Sequence, residues 1–322
     1  MMGDVALPDI DAIREARVRI APHVRVTPVM RVEALDAVLG AELFLKCENF
    51  QKVGAFKARG ACNAVFALSD EAARRGVVTH SSGNHGAALA YAAQRRGIAA
   101  WIVMPSNSAK VKIENVRRLG ATIRYSGPDA ASRAAVCAEV ERETGATMIH
   151  PFDNAAVIAG QGTAVLELLA DAPELDAVVA PCGGGGLLSG TSIAARGLSP
   201  SIRIWGAEPA NADDASRSFR SGRIEPLPAK TTIADGLRTP LAERTLAAIR
   251  ANADALETCS EEAIVRAMRM MFERMKIVVE PSGAVPLACL LERRYPAAGL
   301  RIGVIVSGGN VDLDRLPWQD GG

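Results

Sequence analysis

Aromatic residues make up only 4% of the chain, and that scarcity argues against a sandwich fold packed around large rings. The cysteines Cys47, Cys62, Cys137, Cys182, Cys259 and Cys289 are far apart and form no C-x-x-C pair. A disulfide framework or a zinc site is thereby disfavoured, and a reducing compartment is expected. No apolar run is long enough for a transmembrane helix. Neither sign of charge is in excess, with 37 Lys and Arg against 36 Asp and Glu. An electrostatic grip on nucleic acid or on a membrane surface is not expected. The pairs Arg74-Arg75, Arg95-Arg96 and Arg117-Arg118 come just ahead of a glycine and read as last-turn residues that complement helix dipoles. The start, Met1 to Pro8, has no basic region followed by an apolar stretch, so no signal peptide is read and a cytoplasmic location is expected.

What is present is small and apolar. Hydrophobic residues are 49% of 322, enough for a large core and comfortable for two domains. Between residues 66 and 150 a helix-like segment repeatedly ends in glycine and a strand-like run follows. The glycines are Gly76, Gly97, Gly120 and Gly145, and the runs are 77–79, 98–104, 121–125 and 146–149. Glycine just past a helix end accepts the left-handed conformation that stops the helix. Helix-then-strand units of this length predict a small four-stranded parallel α/β unit. Further buried strands are predicted at 177–181, 203–208 and 301–306, with a strand-like run at 43–47. Helices are predicted at 84–96, 109–119, 130–143, 161–170, 187–196, 241–250, 261–275 and 283–293. Residues 209–240, rich in Pro, Gly, Asp and Ser, read as a long functional loop.

Three segments carry chemistry. Pro181-Cys182-Gly183-Gly184-Gly185-Gly186-Leu187 puts four glycines between a strand and a helix. Unobstructed amides at a helix N-terminus cradle an anion, and a merely flexible turn would not need four glycines, each costly in entropy. The pattern matches neither dinucleotide nor nucleoside-triphosphate loops, so the loop alone leaves the kind of phosphate open. Lys57 stands in Gly54-Ala55-Phe56-Lys57-Ala58-Arg59-Gly60-Ala61, among small and apolar neighbours. Partial burial would lower its pKa and make the amine a nucleophile, whereas an ordinary lysine is a solvated surface residue. Such a lysine, with a phosphate cradle elsewhere in the chain, suggests a Schiff base with pyridoxal phosphate. Thr79-His80-Ser81-Ser82-Gly83-Asn84-His85-Gly86 is dense in donors at a strand-to-helix turn, fit to hold a carboxylate.

These segments resemble the serine/threonine dehydratase and serine racemase family. The likeness also includes Arg25-Thr27-Pro28, Lys46-Glu48-Asn49, Ala159-Gly160-Gln161-Gly162-Thr163, Glu280-Pro281 and Ser307-Gly308-Gly309-Asn310. The resemblance implies an α/β, two-domain fold-type-II architecture (tryptophan synthase β-like) with parallel-rich sheets flanked by helices. Residues 1–66 and 151–322 would form a large cofactor-binding domain and residues 67–150 a small one. Lys57 would bind the cofactor aldehyde and act as base at the substrate Cα. Phe56 and Gly236 would flank the pyridine ring, Asn84 would meet its hydroxyl and Ser307 its nitrogen. Gly183, Gly184, Gly185 and Gly186 would hold the phosphate. Ser81, Asn84 and His85 would bind the substrate carboxylate. Glu208, Asp214 and the Ala212 carbonyl would hold a divalent cation, Mg²⁺, Ca²⁺ or Mn²⁺, since hard oxygens suit such ions. A homodimer is expected.

The reaction implied is loss of the β-hydroxyl as water from a small amino-acid substrate, leaving a keto acid and ammonia. L-Threonine, L-serine, 3-hydroxyaspartate and phenylserine stay open as substrates. Ser82 resembles the hydroxyl that racemases and hydroxyaspartate dehydratases place opposite the lysine, so serine or aspartate racemisation stays open too. Phe152 stands where dehydratases often have Phe. Arg133, next to Ser132, would take a second carboxylate, although a plain surface role fits it equally. A thiol-adding β-replacement enzyme fits the motifs less well, and a non-catalytic pyridoxal phosphate protein is the bland alternative. Ala55 stands where many members have Ser, which removes one hydroxyl near the cofactor.

Overall fold

A computed structural model describes residues 6–81, 83–108 and 110–319. The glycine relay is where the chain first takes shape. Gly76, Gly97, Gly120 and Gly145 all have positive φ, at 81°, 71°, 80° and 69°. After each comes a strand: β3 Val77–His80, β4 Ala100–Pro105, β5 Thr122–Ser126 and β6 Thr147–Met148. These four form one sheet in the order β5-β4-β3-β6, with every pair parallel.

The other sheet draws on both sides of that segment. It contains β1 Val29–Met30, β2 Glu42–Cys47, β7 Ala177–Pro181, β8 Arg203–Pro209, β9 Ala255–Cys259 and β10 Arg301–Val306, in the order β1-β2-β10-β7-β8-β9. Only β1 runs antiparallel, at the edge. Alternate residues serve opposite faces: Val178 and Ala180 join one apolar cluster, Ala177 and Val179 the other. Both faces are therefore covered, as parallel sheets require. β10 lies between β2 and β7, so the loops that leave these strands emerge at one edge. Ligands of open parallel sheets bind outside that carboxyl edge. The segments after β7 and β10 are the tetraglycine and Ser307-Gly308.

The sequence reading missed several elements. Helix Lys57–Phe66 has no amphipathic period to detect, because residues 58–65 are buried on every side. Helices Ile10–Ile20 and Glu33–Leu39 and strands β1 and β9 were also not anticipated, whereas Asp70–Arg74 is the helix-like segment read ahead of Gly76. Helix Asp214–Ser221 occupies part of the predicted 209–240 loop. The helix predicted from 161 begins six residues earlier, as Ala155–Asp171, because Asn154 caps it by accepting from Val157 N at 3.0 Å.

Three helices touch backbone to backbone. A Cβ on Gly160 would lie 2.6 Å from the Arg59 carbonyl oxygen, and one on Gly162 would lie 2.7 Å from that of Gly190. Helix Ala155–Asp171 thus presses directly on Lys57–Phe66 and on Gly186–Leu198.

Beside that contact lies a buried ionic quartet. Arg59 donates through Nε and Nη2 to both Glu48 oxygens at 2.7 and 2.8 Å, and through Nη1 and Nη2 to both Glu167 oxygens at 2.8 and 2.7 Å. Lys46 Nζ reaches Glu167 at 2.7 Å and the Thr27 carbonyl at 2.6 Å. Thr27 Oγ1 donates to Glu48 at 2.6 Å. Two cations meet two anions, every member at most 6% exposed. Burial pushes the Glu167 carboxyl up, but hydrogen bonds and charge from Arg59 and Lys46 hold it below its ordinary range. Removing one partner from such a set leaves an uncompensated buried charge. Arg59→Met is expected to lower unfolding free energy by about 3–5 kcal/mol, measured by urea denaturation.

Candidate active site

Lys57 opens the first turn of its helix, just after the Ala55–Gly308 bridge and a Phe56 N–H bond to the Ser307 carbonyl at 2.9 Å. These contacts hold residues 55–57 against the end of β10. The half-buried amine turns into the protein and donates to the Pro151 carbonyl at 2.9 Å. It lies 5.1 Å from the centroid of the Phe56 ring. Burial lowers its pKa to about 8, against the upward pull of the Glu280 carboxylate. A large neutral fraction near neutral pH is what a nucleophilic amine requires.

The tetraglycine lies across one peptide unit from that amine. Lys57 touches residue 151, and the next residue, Phe152, packs on the glycines. A Cβ on Gly184 would come within 2.4 Å of the Phe152 ring, and one on Gly183 within 2.8 Å of Leu237 Cα. Gly185 is left-handed at φ 85° and caps helix Gly186–Leu198. Among the described residues no hydrogen bond from the Gly183, Gly184, Gly185 or Gly186 N–H groups is found. Amides of this kind at a helix N-terminus suit an anion. A neutral-prone lysine beside an anion cradle fits pyridoxal phosphate.

Asn84, at the start of helix Asn84–Arg96, is fixed from both ends. Its Nδ2 donates to Glu280 Oε1 and Oε2 at 2.9 and 3.1 Å, and its Oδ1 accepts from Asn310 Nδ2 at 2.9 Å. Asn310 N also donates to Glu280, at 3.2 Å. Glu280 and Asn310 lie inside two of the resemblance motifs, yet sequence alone gave neither a role. Ser307, 2% exposed, follows β10, and Gly236 N donates to Ser282 Oγ at 3.1 Å. Ser81 is half-buried, and its Oγ accepts from Gly83 N at 3.2 Å. Ser82 lies outside the described residues.

His85 is placed differently from a ligand that offers its ring. Its imidazole is buried and bonds through Nε2 to the Ile149 carbonyl at 3.1 Å. Burial, together with the Lys57 charge, holds it well below the usual imidazole range. Any contact of His85 with a bound carboxylate would come from its backbone N–H in the first helical turn. Arg133 is half-buried and donates to the Pro128 carbonyl at 2.9 Å. It stands near His80, whose pKa falls through burial and then through the Arg133 charge.

Glu208 lies near the end of β8, and Asp214 opens helix Asp214–Ser221. Glu208 is fully buried and accepts from Ala215 N and Ser216 N at 3.0 and 2.9 Å. Burial raises its pKa to about 9. Asp214 is raised to about 6, mainly by burial, and neither of its carboxylate oxygens has a hydrogen-bond partner. Ala212 is 1% exposed. Among the described residues no group of three or more His, Cys, Asp or Glu side chains is arranged for a metal. Orphaned, buried Asp214 oxygens fit a hard cation, provided main-chain oxygens complete its shell.

The chain is similar to known proteins over most of its length. A family model described as pyridoxal-phosphate dependent enzyme matches residues 20–308. A serine racemase from Oryza sativa subsp. indica is 50% identical over 97% of this chain and 93% of its own length. A β-hydroxyaspartate dehydratase from Paracoccus denitrificans (strain Pd 1222) is 48% identical over 81% of this chain and 83% of that relative. The solved structure of maize serine racemase superposes with a TM-score of 0.94 at 50% identity, covering 98% of this chain and 97% of that one.

Gly183→Ala drives a methyl group against the Leu237 backbone, which cannot swing aside as a side chain would. Binding of pyridoxal phosphate, read by absorbance titration of cofactor-free protein, is expected to weaken at least about tenfold, or roughly 1.4 kcal/mol.

Proposed function

The chain belongs to the pyridoxal-phosphate dependent enzyme family, and from that premise we propose that it removes water from a β-hydroxy amino acid, releasing a keto acid and ammonia. The observation that carries this reading is the Lys57 amine, turned inward on the Pro151 carbonyl and flanked by unpaired glycine amides. When bound, the cofactor supplies an aldehyde for that amine and an electron sink for negative charge at the substrate Cα. Gly183, Gly184, Gly185 and Gly186 would hold its phosphate, Phe56 and Gly236 its ring faces, Asn84 its hydroxyl and Ser307 its nitrogen. Lys57 Nζ takes the Cα proton, the β-hydroxyl takes up a proton and departs as water, and the imine left behind is hydrolysed by water to the keto acid and ammonia. Ser81 and the first-turn amides of Asn84 and His85 orient the substrate carboxylate.

Serine, threonine and 3-hydroxyaspartate are the candidate substrates. The β-hydroxyaspartate dehydratase relative and the Arg133 charge felt at His80 favour the last, because a guanidinium takes a second carboxylate bidentately. Phe152, against the glycine turn, would border the side-chain pocket. Racemisation is the second reading. It is favoured by relatives named serine racemase and by Ser82, which would offer a proton from the face opposite Lys57. A divalent cation would sit between Glu208, Asp214 and the Ala212 carbonyl, away from substrate. We take residues 67–150 as a small domain that covers the cleft.

Phe50, Phe272, Val278 and Leu313 are exposed apolar residues; Asn49, next to Phe50, bonds to the Val278 carbonyl, and Phe272 meets the Trp318 ring. This face suits a second copy, giving a homodimer. Six buried, unpaired cysteines suit a reducing cytoplasm. Among the described residues no helix is long and apolar enough to cross a membrane.

A panel of L-serine, L-threonine and the 3-hydroxyaspartate isomers should release keto acid and ammonia from at least one member. Chiral analysis of the remaining substrate reads racemisation in the same tubes. Lys57→Ala should abolish the visible band of the lysine-bound aldehyde and lower turnover by about 10²-fold or more; unchanged turnover would remove Lys57 from the chemistry.

The cation makes a separate forecast. Glu208 and Asp214 titrate at about 9 and about 6 in the fold, against about 4 in an unfolded chain. Without the ion, the native state binds more protons than the unfolded one across that interval, so stability falls as pH rises. In EDTA the Tm should drop between about pH 5 and pH 8 more steeply than in Mg²⁺ or Ca²⁺. Asp214→Asn should flatten the difference. Identical curves with and without the ion would refute the site.

A further inference from the structure

Residues 149–154 form neither helix nor strand, yet each meets a different wall of the cleft. Ile149 is tied by its N–H to the Val78 carbonyl at 2.9 Å and by its carbonyl to His85. Pro151 offers its carbonyl to Lys57, and Phe152 lies on Gly184. Asp153 pairs with Arg244 at 3.4 Å, on helix Glu243–Asn252, where Thr245 backs Gly185. Asn154 caps the helix that follows. A segment without a ladder needs another source of hydrogen bonds to keep one shape. Here that source is the His150 ring, whose Nδ1 accepts from Phe152 N at 3.4 Å and Asp153 N at 2.9 Å. A nitrogen that accepts carries no proton, so the ring is neutral with hydrogen on Nε2. Its surroundings keep it so. Burial, His80 edge-on at 5.5 Å, Lys57 and Arg244 lower its pKa, with Asp153 opposing, to about 4.

We propose that His150 is the positioning residue for the Lys57 amine: its Nδ1 folds residues 150–153 into the turn that aims the Pro151 carbonyl at Lys57 Nζ and seats Phe152 on the glycine turn. The inference deepens the cofactor reading and rests on it for its purpose, though not for its geometry. Asparagine carries a carbonyl oxygen on Cγ, where histidine carries Nδ1, and such oxygens cap turns of this kind. Leucine fills similar space and accepts nothing. A packing role for His150 therefore favours Leu over Asn, whereas the positioning role favours Asn over Leu.

The test compares wild type, His150→Asn, His150→Leu and His150→Gln, in which the acceptor is displaced by one methylene. Two measurements are made on cofactor-free protein. The first is the Kd for pyridoxal phosphate, from the visible band. The second is the rate of Lys57 acetylation by acetic anhydride, read by peptide mass spectrometry, which needs no cofactor. Wild type and Asn should agree within about threefold in both. Leu should bind at least tenfold more weakly and, with the amine released from its carbonyl, acetylate several-fold faster. Gln should fall on the Leu side, and it stands in if the Leu variant does not fold. Leu behaving as wild type, or Asn behaving as Leu, overturns the proposal. A wild-type protein that shows no band defeats the cofactor reading, while the acetylation series still decides the turn.

Discussion

Arg59 sits two residues beyond Lys57 on the same helix, and its guanidinium is clasped by Glu48 on one side and Glu167 on the other. Glu48 directly follows β2, Glu167 belongs to helix Ala155–Asp171, and Lys46 closes the set from β2 itself. The end of β2 and a helix more than a hundred residues further on are thereby both tied to the helix that carries the amine. The charges cancel within the group, so it can stay dry. Any loss of partner is felt as a whole uncompensated charge, which gives the arrangement its stiffness. The orientation of Lys57 follows from that stiffness as much as from its own contacts.

Around this frame the cleft is electrically lopsided. At one end, glycine amides and a helix N-terminus await negative charge. At the other, Glu280 fixes Asn84 and Asn310 while drawing on Lys57. Between them stand His80, His85 and His150, three of the chain's four histidines, all lowered mainly by burial. Neutral rings add shape and donors without competing for the anion. The cleft thus reserves its strongest attraction for a phosphate and leaves the amine free to exchange protons.

Much of this was legible in the sequence, for identifiable reasons. The four relay glycines left a mark at single positions, because a left-handed residue is its own signal, and the strands after them emerged where expected. The tetraglycine announced an anion site for the same reason. Helix Lys57–Phe66 gave no such mark, being buried all round. The quartet was illegible because Arg59 and Glu167 are 108 residues apart, and the Asn84–Glu280 bond spans 196. Motif resemblance brought Arg59, Asn84 and Glu280 to notice without saying what they touch, and Glu167 lay outside every motif. His85 shows the converse case: the motif pointed to the residue, and only the fold revealed that its ring faces the interior.

The backbone contacts at Gly160 and Gly162 have a further consequence. One helix abuts the amine-bearing helix through the first and the tetraglycine helix through the second, with no layer of side chains between. Side chains can change rotamer and let neighbours drift; main chains in contact cannot. The interval between the attacking nitrogen and the anion cradle is therefore gauged by the thickness of three polypeptide backbones. Even one methyl group in either seam would alter the length of molecule the cleft can accept, and not merely how firmly the protein holds together.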